Sequence, residues 1–295
     1  MDDRAAMQSD ALLQELMEQI SGLYGDALKR LVRKLKRFFQ FVEQEEKRPA
    51  PDYLAEISEE AVANWHAANV QRAADDERVV EKAAHELGVA GLAASALIYA
   101  AMPKVARINR DYTVERAAQV ALEHGKMVKL PHKTLEELRV LYSETLPPLS
   151  KLAYTNLGND AAAMKRLRRE FQQAIIRREL PRDMIARIRR VTGMSYSDAQ
   201  RVAQTEGNRI MSEARYNACQ EAAENGIVYI NEWSARMVRT RESHAALDRT
   251  KKRQGETFRT IWGNELRFPG DPTAPAREVI NCHCVLLPCD SIEEG

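Results

Sequence analysis

The sequence predicts a mainly α-helical protein in which a long helical N-terminal region is followed by a small α+β C-terminal module. Up to about residue 225, apolar side chains recur at helical spacing in one segment after another. The first run of β-branched and aromatic residues is Ile227–Ile230, and such runs favour strands. Three of the four cysteines and two of the three tryptophans lie in Trp233–Cys289, so we expect any specific chemistry there.

The chain divides into three predicted regions. Residues 1–50 form an amphipathic N-terminal arm and residues 51–180 a helical domain. Residues 181–295 form a third domain, whose helices extend to about residue 225 and whose remainder is the α+β module. With 295 residues, of which 44% are hydrophobic, the chain can bury a substantial core.

Charge is distributed unevenly along the chain, although the net charge is only +1. Residues 28–48 carry eight basic and three acidic side chains. Residues 55–86 carry three basic and eight acidic side chains, and residues 165–190 carry ten basic and three acidic ones. Such blocks are typical of solvated helix faces and of contacts between helices or subunits. The last block is also suited to binding DNA phosphates without sequence preference.

We expect a cytosolic product with reduced thiols, because the N-terminus lacks a signal pattern and four cysteines are too few for a disulfide scaffold. The longest apolar run, Gly88–Met102, has 15 residues, whereas a stable membrane span needs about 20. One interpretation of this run is a tightly packed buried helix. The other is a helix that enters a membrane or a partner.

Start and stop signals define the first helices. Apolar spacing predicts a long helix, or a pair of helices, over residues 10–46. Two prolines in Arg48–Asp52 interrupt it, and Ser58 is the expected N-cap of a helix that runs to Leu87.

Later signals predict shorter helices followed by strands. The apolar run should end at Pro103, and Gly193 should separate a short helix beginning at Pro181 from a long one beginning at Ser195. Three further helices are predicted: one from Thr113 to Gly125, one that begins at the capping box Thr134–Glu137 and one that begins at Asn159. The predicted strands are Ile227–Ile230, Thr257–Trp262 and Val279–Leu287. Asn225 and Gly226 should close the long helix.

Cysteines near the C-terminus are candidate zinc ligands together with a histidine. Thiolates and imidazoles select zinc when four of them converge, and Cys282, Cys284, Cys289 and His244 are the candidates. Because C-x-C is tighter than the usual C-x₂-C knuckle, two other interpretations stay open. These are cysteines on one face of a strand and a redox-active disulfide. Apart from zinc, no cofactor is expected.

A second candidate site consists of Arg239, Arg241 and His244, with Glu278 as an acidic partner. Two guanidinium groups can hold a phosphate while an imidazole transfers a proton, as in a nuclease or a nucleotide-transferring enzyme. The same arginines can equally satisfy buried carbonyl groups or pair with Asp248 or Glu278. Since the sequence contains no Gly-rich phosphate loop and no G-x-S-x-G or H-E-x-x-H motif, we favour a structural, non-enzymatic role.

The order of these residues resembles the phage Mu F-like family, the minor head or head-morphogenesis proteins of tailed phages. The family pattern is an R-T-E helix, a tryptophan, R-T-R-x-x-H, L-D-G, a P-G turn and N-C-x-C. The resemblance covers roughly residues 180–290. The matching residues are Thr205, Glu206, Trp233, Arg239, Arg241, His244, Asp248, Pro269, Gly270, Asn281, Cys282 and Cys284.

Three features depart from the family pattern. Val238 stands where the family usually has an acidic residue, Arg249 replaces the glycine after L-D, and Gln204 replaces the arginine of R-T-E. The missing acid argues against enzymatic activity in this chain. The departures do not affect the expected fold.

The resemblance implies a structural role in the virion of a bacteriophage. It implies a minor capsid protein in the head interior or at the portal vertex, assembled in the bacterial cytoplasm and needed for head assembly, DNA packaging or ejection. The implied partners are the portal protein, the major capsid protein and packaged DNA, and the N-terminal helices suit self-association. A nuclease-like enzyme carried in the virion is the alternative.

Overall fold

The computed structural model describes residues 3–76, 79–144, 181–237 and 240–292, together with Arg166, Arg169, Glu170 and Gln173. The protein is mainly helical, and within these described ranges the short antiparallel strands all lie in the C-terminal module, as the sequence predicts. The helices are α1 Arg4–Glu46, α2 Asp52–Ala55, α3 Glu59–Asp76, α4 Val79–Glu123, α5 Leu135–Glu144, α6 Pro181–Glu224, α7 Glu242–Ala245 and α8 Ala276–Val279. The strands are β1 Tyr229–Ser234, β2 Lys251–Arg253, β3 Phe258–Arg259, β4 Glu265–Leu266 and β5 Val285–Ile292.

Helix α1 is one continuous helix and not a pair, since it runs through Gly22 and Gly25 without a break. Its buried residues follow helical spacing and include Leu13, Leu16, Ile20, Tyr24, Ala27, Leu31 and Leu35. Before α3, the Ser58 hydroxyl accepts a hydrogen bond from the N–H of Ala61 at 3.1 Å, which confirms the predicted N-cap.

Helix α4 shows that three predicted boundaries are wrong. Helix α3 ends at Asp76, well before Leu87, and α4 then continues through both Pro103 and Thr113. A proline inside a helix removes one backbone hydrogen bond, and water can satisfy the freed carbonyl on the exposed side of a long helix. The Thr113 hydroxyl donates to the Asn109 carbonyl at 2.8 Å, so it is satisfied within the helix and caps nothing.

The apolar part of α4 has one buried and one exposed face. Ala94 and Ile98 are completely buried, whereas Val89 and Leu92 are 44% and 60% exposed. By length and composition, His85–Glu123 is apolar enough to cross a membrane, although a core helix can meet the same criteria. Both interpretations of the apolar run therefore remain predictions.

Helices α5 and α6 have clear start and stop signals. The Glu137 carboxylate accepts from the Thr134 N–H at 2.7 Å and the Thr134 hydroxyl from the Glu137 N–H at 3.3 Å, which confirms the capping box. Helix α6 passes through Gly193, so the predicted short and long helices are one. It ends before Gly226, whose φ of +86° suits a glycine after a helix. The helix predicted from Asn159 lies outside the described residues.

The C-terminal module contains a three-stranded antiparallel sheet in the order β2-β1-β5 and a small β3–β4 hairpin. Strand β1 runs on to Ser234, beyond the predicted Ile227–Ile230. The predicted third strand starts later, because Val279 belongs to the single turn α8. The pairing of β1 with β5 is irregular between Ile230 and Glu232, and Cys289 of β5 has a φ of +54° there.

The chain forms two compact units that do not follow sequence order. One unit contains residues 1–19, 96–154 and 200–295, and the other contains residues 20–95 and 155–199. In the second unit, Arg30 and Lys34 contact Glu86 at 2.5 and 2.7 Å. These pairs join the basic block of α1 to the acidic block of 55–86, in line with the expected contacts between helices.

Candidate functional site

The motif residues of the C-terminal module converge on one buried core. Trp233 is completely buried, and its ring packs edge-on against His244 and Phe258 at centroid distances of 5.1 and 5.2 Å. The members of this core are Trp233, Ala235, Leu247, Phe258, Leu266, Phe268, Cys282, Cys284 and Leu286. The tryptophan of the sequence pattern therefore organises the packing of the site.

Two cysteines and one histidine meet inside this core. Helix α7 carries His244, and the segment before β5 carries Cys282 and Cys284. His244 Nδ1 lies 3.5 Å from Cys282 Sγ and 3.6 Å from Cys284 Sγ. All three side chains are buried, and their donor atoms lie within 4.8 Å of one another. Among the described residues, this group is the one whose geometry suits a metal ion.

The other nitrogen of His244 faces an ionised carboxylate. Nε2 lies 3.1 Å from Oε2 of Glu278, which is completely buried. Glu278 also accepts hydrogen bonds from the Asn264 amide at 2.7 Å and the Ser243 hydroxyl at 3.0 Å. Burial alone would raise the pKa of Glu278, but these donors and the positive charge of Arg241 hold it below the usual value.

The pKa values of the two thiols next to His244 are shifted in opposite directions. The pKa of Cys282 is lowered well below its usual value, because the Cys284 thiol donates to it and His244 is nearby, and these effects outweigh burial. The pKa of Cys284 is raised by its hydrogen bond to Cys282 and by burial. Trp233 and the charge of Arg241 act in the opposite direction on Cys284. Of the two thiols, Cys282 is therefore the one that ionises more readily.

Cys289, the fourth predicted zinc ligand, lies in a different core. Its sulfur is 3.4 Å from Cys219 Sγ on α6, and its N–H donates to the Asn231 side chain at 3.1 Å. The irregular pairing of β5 and the positive φ of Cys289 turn this residue towards α6 and away from His244. Cys219 is its neighbour in that core.

The described residues of the predicted phosphate site, Arg241 and His244, are engaged within the module. The Arg241 guanidinium donates to the carbonyls of Arg277 and Ile280, the latter at 2.6 Å, so it holds the end of α8. His244 is 1% exposed. Arg239 lies outside the described residues. The interpretation in which arginine satisfies backbone carbonyls therefore applies to Arg241.

The other motif residues secure loops. Asp248 accepts from the N–H of Ala235 at 2.8 Å. After Pro269, Gly270 has a φ of +83°, and a Cβ there would lie 3.2 Å from the Cα of Arg209, so the turn approaches the backbone of α6 closely. Asn281 adopts a φ of +56°, which asparagine tolerates better than most residues.

A polar stripe on α6 binds the backbone of the segment that contains Cys282 and Cys284. Of the residues in this stripe, the sequence pattern indicated Thr205. Thr205 accepts from the N–H of Asn281 at 3.0 Å, the Asn208 amide donates to the Cys284 carbonyl at 2.9 Å, and Arg215 donates to the Leu286 carbonyl at 2.9 Å. The residues of the stripe on α6 are Thr205, Asn208, Ser212, Arg215 and Cys219. Their spacing of three and four residues was the available signal, because polar residues on the inner face of a helix need partners.

Glu206 of the T-E pair belongs to a neighbouring buried cluster. It binds Arg209 at 2.9 Å, and Arg209 also binds Glu213. Burial raises the pKa of Glu213, although the charges of Arg209 and Arg267 act against this rise. The cluster therefore supports the packing of α6, as capping or pairing residues would.

Comparisons with known proteins agree with the order of these residues. Residues 165–287 match the family model described as Phage Mu protein F like protein. A relative, "Minor head protein GP7" of Bacillus phage SPP1, is 30% identical over 102 residues, which are 34% of this chain and 32% of the relative. The matched segment thus spans about a third of the length of that relative. No solved structure matches the chain significantly.

Proposed function

We propose that the protein is a minor head component of a tailed bacteriophage that acts in head morphogenesis, because residues 165–287 match the family model of the phage Mu protein F-like proteins. The observation that carries this proposal is the family match. It spans α6, the strands up to the start of β5 and the core around Trp233, where the motif residues converge.

The contacts of the motif residues support a structural role for this domain. Arg241 is bound to carbonyls, Asp248 holds the loop after β1, and Glu278 is enclosed by side-chain donors. His244 is buried between these elements. These contacts favour a stable domain that presents its outer surface to neighbouring proteins. A nuclease would need this core to open before His244 reached a phosphate.

We place the protein at the portal vertex or in the head interior, with the portal protein and the major capsid protein as partners. The helices outside the family match offer surfaces for these contacts. In α1, Arg33, Lys36 and Arg37 are exposed beside a buried apolar face, which suits docking on an acidic partner or self-association. Packaged DNA is a further proposed partner through the basic run 165–190. Of that run, Arg169, Arg189 and Arg190 are described and exposed.

The test is to follow the protein through head assembly. Phage carrying a tagged copy are grown, and proheads, full heads and virions are separated and analysed by quantitative mass spectrometry. The protein is expected in proheads at few copies relative to the major capsid protein, and a tag pull-down from infected cells should recover the portal protein. A protein that stays free of heads and portal would refute the proposal.

A nuclease assay tests the enzyme alternative separately. Purified protein is incubated with DNA and divalent cations, beside a His244→Ala variant whose fold is checked by circular dichroism. The structural role predicts equal background cleavage for both proteins. Cleavage that is lost only in the folded His244→Ala variant would establish the enzyme alternative.

A further inference from the structure

We propose that His244, Cys282 and Cys284 bind one zinc ion, which ties α7 to the segment that precedes β5. The family match names a head protein and assigns no metal. The proposal rests instead on the donor atoms of these three residues, and it stands independently of the role in the head.

The three donor atoms face one point. His244 Nδ1 lies 3.5 and 3.6 Å from the two sulfurs, and the set spans less than 4.8 Å. A tetrahedral zinc ion has Zn–S bonds of about 2.3 Å and Zn–N bonds of about 2.0 Å, so its ligands lie about 3.5–4 Å apart. The observed separations therefore fit one ion between the three atoms.

The surroundings of His244 select the tautomer that zinc needs. Oε2 of Glu278 lies 3.1 Å from Nε2 without forming a hydrogen bond of regular geometry. A carboxylate on this side of the ring favours a proton on Nε2 and leaves the lone pair of Nδ1 directed at the sulfurs. Metal-binding histidines usually have such a carboxylate behind the ring, where it orients the imidazole and increases its basicity. Hydrogen bonds from the Asn264 amide and the Ser243 hydroxyl hold the Glu278 carboxylate in place. Glu278 is thus a positioning residue.

Helix α6 holds the segment that carries the two cysteines in place. The Asn208 amide holds the carbonyl of Cys284, and Thr205 holds the N–H of Asn281, so α6 supports the segment from both ends. Ligands held in place by second contacts lose little freedom on binding.

Zinc is the metal that this donor set favours. Two thiolates and one imidazole are borderline-soft ligands, which disfavours magnesium and calcium. On binding, the two cysteines release their remaining thiol protons to solvent and no electron is transferred. A Cys282–Cys284 disulfide, the redox alternative, would close a short strained ring and would leave His244 Nδ1 buried without a ligand or a thiol.

The first experiment measures metal in the full-length protein, purified with a tag that contains no histidine and without chelators. Mass spectrometry of the metals should find about one zinc per chain. After the zinc is removed, cobalt(II) should bind with a thiolate-to-cobalt charge-transfer band and the visible bands of tetrahedral cobalt. Protein that is folded but metal-free, and that takes up no cobalt with thiolate bands, would overturn the proposal.

Two variants with matched chemistry locate the ion. Cys284→Ser should abolish stoichiometric zinc, whereas Cys219→Ser, which also replaces a buried sulfur by oxygen, should retain it. Glu278→Gln should weaken zinc binding about 10- to 100-fold without changing the stoichiometry at saturation. Equal zinc in both serine variants would refute the site. If Cys284→Ser fails to fold, the wild-type cobalt spectrum decides, because charge-transfer bands require thiolate ligands.

This outcome is separate from the head proposal. A zinc-free protein that still enters proheads would refute only the metal site. A protein that binds zinc but remains outside heads would refute only the role in head assembly.

Discussion

Replacement of Arg215 by alanine is expected to lower the free energy of unfolding of the C-terminal module more than replacement of any exposed residue on α6. The guanidinium is completely buried and makes four hydrogen bonds. Two go to Asp3 at 2.7 and 2.8 Å, one to the Asn109 side chain at 2.8 Å and one to the Leu286 carbonyl at 2.9 Å. The charge also lies over the ring of Tyr112, 5.0 Å from its centroid. One side chain thus joins the N-terminus, α4, α6 and β5.

The magnitude follows from the partners that are left behind. In Arg215→Ala, the buried side-chain oxygen of Asn109 and the buried carbonyl of Leu286 lose their hydrogen-bond donor. Each loss lowers the free energy of unfolding by about 1–3 kcal/mol. Asp3 is 17% exposed at its side chain and can regain water, so its loss is smaller. The sum is about 3–5 kcal/mol, which agrees with the cost of removing one member of a buried ion pair. At about 2–4 °C per kcal/mol, Tm should fall by about 10 °C.

Thermal and urea unfolding followed by circular dichroism are suitable assays, with midpoints compared directly because two compact units can unfold separately. Arg190→Ala, an exposed arginine of the same helix, is the control and should change stability by less than about 0.5 kcal/mol. Arg215→Lys should recover about half of the loss, since an ammonium group cannot bind three separate acceptors in the plane of a guanidinium. A loss in Arg215→Ala as small as that of the control would refute the reasoning.

Three further predictions concern backbone and charge in the same unit or helix. Gly207→Ala should destabilise the protein by about 1–2 kcal/mol, because the added Cβ would lie 2.5 Å from the side chain of buried Leu13. Gly193→Ala is the control and should stabilise the protein by about 0.5–1 kcal/mol, because its added Cβ would enter open space. Equal shifts in Tm for the two variants would contradict this packing argument. Arg249→Gly should raise the free energy of unfolding by up to about 1 kcal/mol, because Arg249 has a φ of +60°, a left-handed conformation that glycine adopts without strain. A lower urea midpoint for this variant would show that the arginine backbone is not strained. Asp271→Asn should destabilise by about 2 kcal/mol at pH 7. Burial raises the pKa of Asp271, but hydrogen bonds from an arginine and from backbone N–H groups outweigh it and the net pKa is lowered. The stabilisation is therefore present above the unfolded pKa of about 4 and is lost as the pH falls further, so unfolding curves of the two proteins should converge below about pH 4.

Local signals in the sequence were sufficient for much of the fold. Ser58 and the Thr134–Glu137 box act through hydrogen bonds over three residues, so their effect can be read without any tertiary contact. The expected breaks at Pro103 and Gly193 were wrong, because long helices packed on other elements tolerate the loss of one hydrogen bond or the flexibility of a glycine.

The candidate site was predictable in part. The ordered set from Trp233 to Cys284 indicated the resemblance to the phage Mu F-like family, whose model matches residues 165–287, and His244, Cys282 and Cys284 do converge. Cys289 was wrongly grouped with them, since alternation along a strand cannot foresee the irregular pairing that turns it towards Cys219. The replacement of a glycine by Arg249, noted as a departure from the family pattern, occurs at a position with positive φ, so the family glycine has a backbone reason.

The sequence by itself determined the helical character, the caps, the small C-terminal module and the resemblance to the phage Mu F-like family, because all of these depend on periodicity, short-range hydrogen bonds or the order of motif residues. Only the tertiary structure decided which polar groups meet across long separations in the chain. Asp3 reaches Arg215, Thr205 reaches Asn281 and Glu278 reaches His244. A buried polar group must find a partner, but its identity depends on how helices and strands pack, and no local pattern specifies that packing.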